Sequence, residues 1–71
     1  MIRVIGKYGC DRCDNVVEVL TKNNKEFVYS YINDLDENTA RRYREKAIDA
    51  KQRSFPIILK DDELVKLEDI I

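Results

Sequence analysis

What most constrains the fold of this chain is a repeated switch between strand-like and helix-like patterning inside 71 residues. Ile2-Arg3-Val4-Ile5 is a β-prone run that stops at Gly6, so residues 2–6 are read as the first strand. Gly6 and Gly9, the only two glycines, bracket Lys7-Tyr8 as a break. Past Cys10, residues Val16, Val17, Val19 and Leu20 make one helical face apolar, which predicts a helix from about Asp11 to Asn23. Its β-branched valines lower helix propensity, so contact with a sheet has to hold it. Glu26 to Ile32 is rich in aromatic and β-branched residues and puts Phe27, Tyr29 and Tyr31 on one face of a second strand.

Asp34 stands three residues before Glu37, a capping pattern, and predicts a second helix over roughly 35–51. Glu37–Arg41 and Arg41–Glu45 have helical ion-pair spacing, and Leu35, Tyr43, Ala47, Ile48 and Ala50 are its expected apolar contacts. Ser54 to Leu59 reads as a strand entered through the only proline, Asp61-Asp62 as a turn, and Glu63 to Val65 as a short strand. Lys66 to Ile71 leaves room for a helical turn or two. A strand–helix–strand unit requires a right-handed crossover and a parallel pair, whereas the Asp61-Asp62 turn requires an antiparallel one. The expected fold is therefore α/β, in the order β-α-β-α-β-β, with a four-stranded mixed sheet and helices packed on it. Residues 1–71 form a single domain without repeat or linker.

Composition narrows the chemistry. Thirteen Lys+Arg against fourteen Asp+Glu give a net charge of −1, which argues against nucleic acid or an anionic membrane as partner. The longest apolar run, Phe55 to Leu59, is far too short for a membrane span or a signal-peptide core, so a cytoplasmic location is the default. There is no His, which removes imidazole catalysis and Cys–His pairs. Residues 41–53 carry a net +4, including Arg53, and residues 61–71 a net −4. The basic stretch reads as a solvated helical face, with steering of an acidic partner or capture of a carboxylate by Arg53 as the functional alternative.

What remains is the pair of thiols. Cys10-Asp11-Arg12-Cys13 falls where the first strand gives way to the first helix. The spacing allows the sulfurs to reach disulfide range, and a helix N-terminus favours an anion, so Cys10 is expected to have a lowered pKa while Cys13, one turn in, is shielded. Such a pair supplies an attacking and a resolving thiol. Lys7 and Arg12 add positive potential and Asp11 opposes them. A structural zinc site would need four ligands, and only Asp11 or Asp14 are at hand to join the two Cys; no metal is expected. A structural disulfide closing so short a loop, or two inert buried thiols, are the other readings.

Lys7-Tyr8-Gly9-Cys10-Asp11-Arg12-Cys13, followed some forty positions later by Ser54-Phe55-Pro56, resembles the glutaredoxin family across nearly the whole chain. The resemblance implies a minimal thioredoxin-like (glutaredoxin) fold with a truncated C-terminal helix. It implies Cys10 as nucleophile, Cys13 as resolving thiol, Lys7 as partner of a glutathione carboxylate, Phe55 as a backbone partner of glutathione, and Pro56 as a cis proline. Tyr8 and Arg12 border the same site; Tyr8 either stacks on substrate or packs as a wall against the helix. The sequence departs from the family at Asp11-Arg12, where Pro-Tyr is common, and at Lys66-Leu67, where the family has Gly-Gly. The implied activity is glutathione-linked reduction of protein disulfides or glutathione mixed disulfides by a monomer with no bound cofactor, glutathione being a cosubstrate. The alternatives are a glutaredoxin-like electron donor to ribonucleotide reductase, itself reduced by thioredoxin reductase, and a non-catalytic thioredoxin-fold module that binds a metal or a partner.

Overall fold

The computed structural model describes residues 1–52 and 54–71. Its elements are β1 (Ile2–Gly6), α1 (Asp11–Lys22), β2 (Phe27–Tyr31), α2 (Glu37–Asp49), β3 (Ile57–Lys60) and β4 (Glu63–Leu64), with 3₁₀ turns at Ile32–Asp34 and Leu67–Asp69. The four strands form one mixed sheet in the order β2-β1-β3-β4. β1 is parallel to β2, with Val4 opposite Tyr29 and Gly6 opposite Tyr31, and antiparallel to β3. β3 and β4 are closed by the two-residue turn Asp61-Asp62, both residues at positive φ (52° and 67°), the left-handed pair a tight hairpin needs.

The helices lie on opposite faces. Val16 and Leu20 of α1 pack with Ile2, Val4 and Ile58, and Ala40, Tyr43 and Ala47 of α2 pack with Ile5, Ile57 and Leu59. Period-two alternation along β1 divides its side chains between these two cores. Burying each large aliphatic side chain such as Leu20 or Leu59 contributes about 1.5–3 kcal/mol.

Three expectations need correction. Helix α2 begins at Glu37, and its cap is Asp36, whose carboxylate accepts from the Thr39 N–H at 3.1 Å. Asp34 lies in the preceding 3₁₀ turn, where Tyr31 to Leu35 turn the chain under β2 and leave Asp34 too early to reach the helix. Ile48 (67% exposed) and Ala50 face solvent, because the buried stripe of α2 runs through Ala40, Tyr43 and Ala47 at three- and four-residue spacing. The third strand starts only at Ile57, since Ser54 to Pro56 form the turn that leads into it.

Both helices end on a residue in the left-handed region. Asn24 (φ 56°) follows α1, with Lys25 N–H bonded to Leu20 C=O, and Lys51 (φ 60°) follows α2, with Gln52 N–H bonded to Ala47 C=O. These ends return the chain to the sheet at each turn. No helix among the described residues is long and apolar enough to cross a membrane.

Candidate active site

Cys10 is the N-cap of α1. Gly9, at φ +66°, swings the chain from the Lys7-Tyr8 turn into the helix, and the Cys13 N–H donates to Cys10 Sγ at 3.2 Å. The sulfur thus sits where the unpaired N–H groups of the first turn converge, which favours negative charge on it. Cys10 and Cys13 are joined as a disulfide with Cα atoms 5.3 Å apart. Their burial is unequal: Cys10 keeps 9% of its surface exposed and Cys13 none. Of the pair, Cys10 is the one that retains exposed surface.

A cleft of about 430 Å³ opens over Cys10, lined by Lys7, Gly9, Asp11, Arg12, Ser54 and Phe55. The Lys7 ammonium stands 5.9 Å from the centre of the Phe55 ring. Lys7, Cys10, Arg12 and Phe55 are therefore brought together as the sequence suggested. Pro56 is joined to Phe55 by a cis peptide bond, also as expected. It lines an adjoining cleft of about 460 Å³ with Asp11, Arg12, Val65, Lys66 and Leu67 among its walls. Lys66-Leu67 thus borders the site without glycines, and the Lys66 N–H is bonded to the Asp69 carboxylate at 3.3 Å. Arg53, the proposed carboxylate partner, lies outside the described residues.

Tyr8 packs on a residue of β2. Its ring stacks on Tyr31 at 4.2 Å between centroids, and its hydroxyl donates to the Asp34 carboxylate at 2.9–3.1 Å. The bond to Asp34, then burial and the negative charge of Asp34, raise its pKa above the ordinary 10.0. Tyr8 is 58% exposed and is not among the residues that line the cleft over Cys10. Tyr31 in turn meets the edge of Tyr29 at 5.2 Å. Asp14 is exposed.

The pattern-based reading missed Gln52 and Asp34. The Gln52 side-chain amide donates to the Ser54 and Pro56 carbonyls at 2.9 and 2.8 Å and so fastens the segment that carries Phe55. Neither role follows from a local motif: Gln52 reaches a carbonyl four residues on, and Asp34, whose capping pattern gives no sign of this contact, a hydroxyl twenty-six residues back.

No protein-family model and no curated protein matches the sequence. Solved structures do. A glutaredoxin from Archaeoglobus fulgidus superposes with a TM-score of 0.66 at 18% identity, over 97% of this chain and 79% of that one. A thioredoxin-like protein, solved as a single-site variant, superposes with a TM-score of 0.68 at 25% identity, over 99% and 93% of the two chains. With its paired cysteines at the start of α1, the chain is a Cys-x-x-Cys protein with the thioredoxin-like fold of glutaredoxins and thioredoxin-like proteins, and it is built like an oxidoreductase.

Proposed function

We propose that the protein is a cytoplasmic dithiol–disulfide oxidoreductase of the glutaredoxin type, acting as a monomer without a bound cofactor. The observation that carries the reading is the inequality of the two thiols: Cys10 caps α1 at the floor of an open cleft and Cys13 is fully buried behind it. As a thiolate, Cys10 attacks one sulfur of a substrate disulfide, forms a mixed disulfide and expels the other sulfur as a thiolate. Cys13 then attacks Cys10 Sγ, releasing the second thiol and leaving the Cys10–Cys13 disulfide. A reductant returns the pair to the dithiol.

Glutathione is the proposed reductant. Lys7 and Arg12 offer cations for its carboxylates, and Phe55 offers backbone N–H and C=O groups for its peptide groups. The Lys66-Leu67 segment favours a second reading, in which protein disulfides such as that of ribonucleotide reductase are the substrate and thioredoxin reductase supplies electrons. Its side chains, and the Lys66 N–H already bonded to Asp69, narrow the wall that a glutathione γ-glutamyl group would use.

The test is intact mass after exposure to oxidised glutathione. Cys13→Ser is expected to take up one glutathione and Cys10→Ser none. An adduct on Cys10→Ser alone would reverse the roles of the thiols. No adduct on either, with the wild type still cycling against thioredoxin reductase, would move the assignment to the second reading. Inertness in both assays would leave a binding module.

A further inference from the structure

Tyr29 sits on β2 opposite Val4, on the α1 side of the sheet. Its ring extends along that face to Gly6. A methyl group placed on Gly6 would strike the Tyr29 hydroxyl, would come within 2.7 Å of the ring Cζ, and would lie 3.2 Å from Cys13 Cβ. The phenol oxygen and Cys13 therefore share one small space beneath the first turn of α1, a space that exists because Gly6 has no side chain. The Tyr8 hydroxyl is engaged by Asp34, whereas that of Tyr29 has no protein partner among the described residues. Burial first, then Tyr31 and Asp14, raise the Tyr29 pKa above its ordinary 10.0, so the group is a protonated donor at neutral pH.

We propose that Tyr29 is a positioning residue for the resolving thiol, its hydroxyl donating a hydrogen bond to the Cys13 sulfur once the disulfide opens. The inference rests on the dithiol reading above. In the resolving step the Cys13 thiolate attacks Cys10 Sγ of the mixed disulfide. The Cys10–Cys13 bond forms, the bond to the substrate sulfur breaks, and the departing thiolate takes its proton from solvent. A hydrogen bond donated to Cys13 favours its thiolate and lowers its pKa. The other titratable groups around the pair are Lys7 before α1, Asp11, Arg12 and Asp14 on its first turn, Tyr31 on β2 and Cys10 itself, and all remain when Tyr29 is changed to Phe.

Losing the donor is expected to raise the Cys13 pKa by about one unit, a tenfold loss of thiolate below the pKa. Nucleophilicity rises with thiol pKa at a slope of about 0.4–0.5, which restores roughly threefold. Tyr29→Phe is thus expected to slow the resolving step about threefold at neutral pH and to speed it about threefold on the alkaline plateau. A purely packing role would slow it alike at every pH.

Dithiobis(nitrobenzoate) separates the steps. Cys10 releases the first coloured thiolate in a bimolecular phase, and Cys13 releases the second in a phase independent of reagent concentration. The pH profile of that second phase, in wild type and Tyr29→Phe, is the readout. Crossing profiles with the variant's midpoint moved up support the proposal; an unmoved midpoint overturns it. If Tyr29→Phe does not fold, the Tyr29 ring signals of the Cys10→Ser protein are followed by NMR instead. They must titrate with the Cys13 thiolate, and a flat response overturns the proposal. Absence of the second phase in the wild type would remove the dithiol reading itself, which separates the two failures.

Discussion

Gly6 and Gly9 are both chain breakers in the sequence, yet they serve different needs. Gly9 has φ +66° and open space where a side chain would be, so its requirement is conformational. Gly6 is the reverse: its requirement is room for the Tyr29 ring beside Cys13. Gly6→Ala is expected to lower stability by about 1–3 kcal/mol, the range for inserting a methyl group into packed surroundings. Part of that loss is expected to vanish in a Tyr29→Phe background, since the hydroxyl is the first atom met. A denaturant-unfolding double-mutant cycle checks it, and strict additivity would show that the two residues do not compete for one space. Lys7, Cys10 and Phe55 share one cleft and Cys13 is joined to Cys10, a juxtaposition legible in the Cys-x-x-Cys spacing and in the family resemblance. For Tyr29 the pattern gives only a place on one face of β2, because its second contact depends on β1–β2 register, which places Gly6 within reach of its ring.

At the scale of elements, patterning located every helix and strand, and the differences lie at their ends. Asp34 and Asp36 are both capping residue types, and choosing between them depends on the 3₁₀ turn at Ile32–Asp34, which no periodicity signals. The exposure of Ile48 was hidden for a related reason: the helical wheel of α2 admits a wider apolar stripe than the narrow contact its sheet face provides. The two helix ends contrast in the same way. Asn24 is suited to the left-handed region, but Lys51 takes the same conformation at φ 60° with a side chain that disfavours it. Lys51→Gly is expected to raise stability by about 1 kcal/mol, because glycine removes the steric cost of that conformation while the Gln52 N–H to Ala47 C=O bond stays in place. Thermal unfolding of the variant measures the gain. A fall in melting temperature would mean that Lys51 contributes more through its side chain than it costs through its backbone.

The whole molecule must cover both faces of a four-stranded sheet with two helices and a short tail. On the α2 side the cover is a full helix aided by Leu35 and Phe55. The α1 side is closed differently. After β4 the chain makes only a 3₁₀ turn, and Ile70 drops into the cluster of Ile2, Val4, Val16, Leu20 and Ile58 while Ile71 stays 53% exposed. In the sequence Ile70 and Ile71 are adjacent and identical in type. The single turn at Leu67–Asp69 separates them by pointing one inward. Ile70→Ala is therefore expected to cost about 2–4 kcal/mol, as for other aliphatic truncations in a core, whereas Ile71→Ala is expected to stay within about 0.5 kcal/mol. Small domains have about 5–15 kcal/mol in all, so the first change consumes a large share. Because Val65, Lys66 and Leu67 wall the cleft beside Pro56, loosening the tail is also expected to weaken thiol exchange at temperatures where the fold still holds. Guanidinium unfolding of both variants, with exchange rates measured alongside, decides the point. Equal midpoints would mean that α1 alone seals its face of the sheet and that the tail is dispensable to the site.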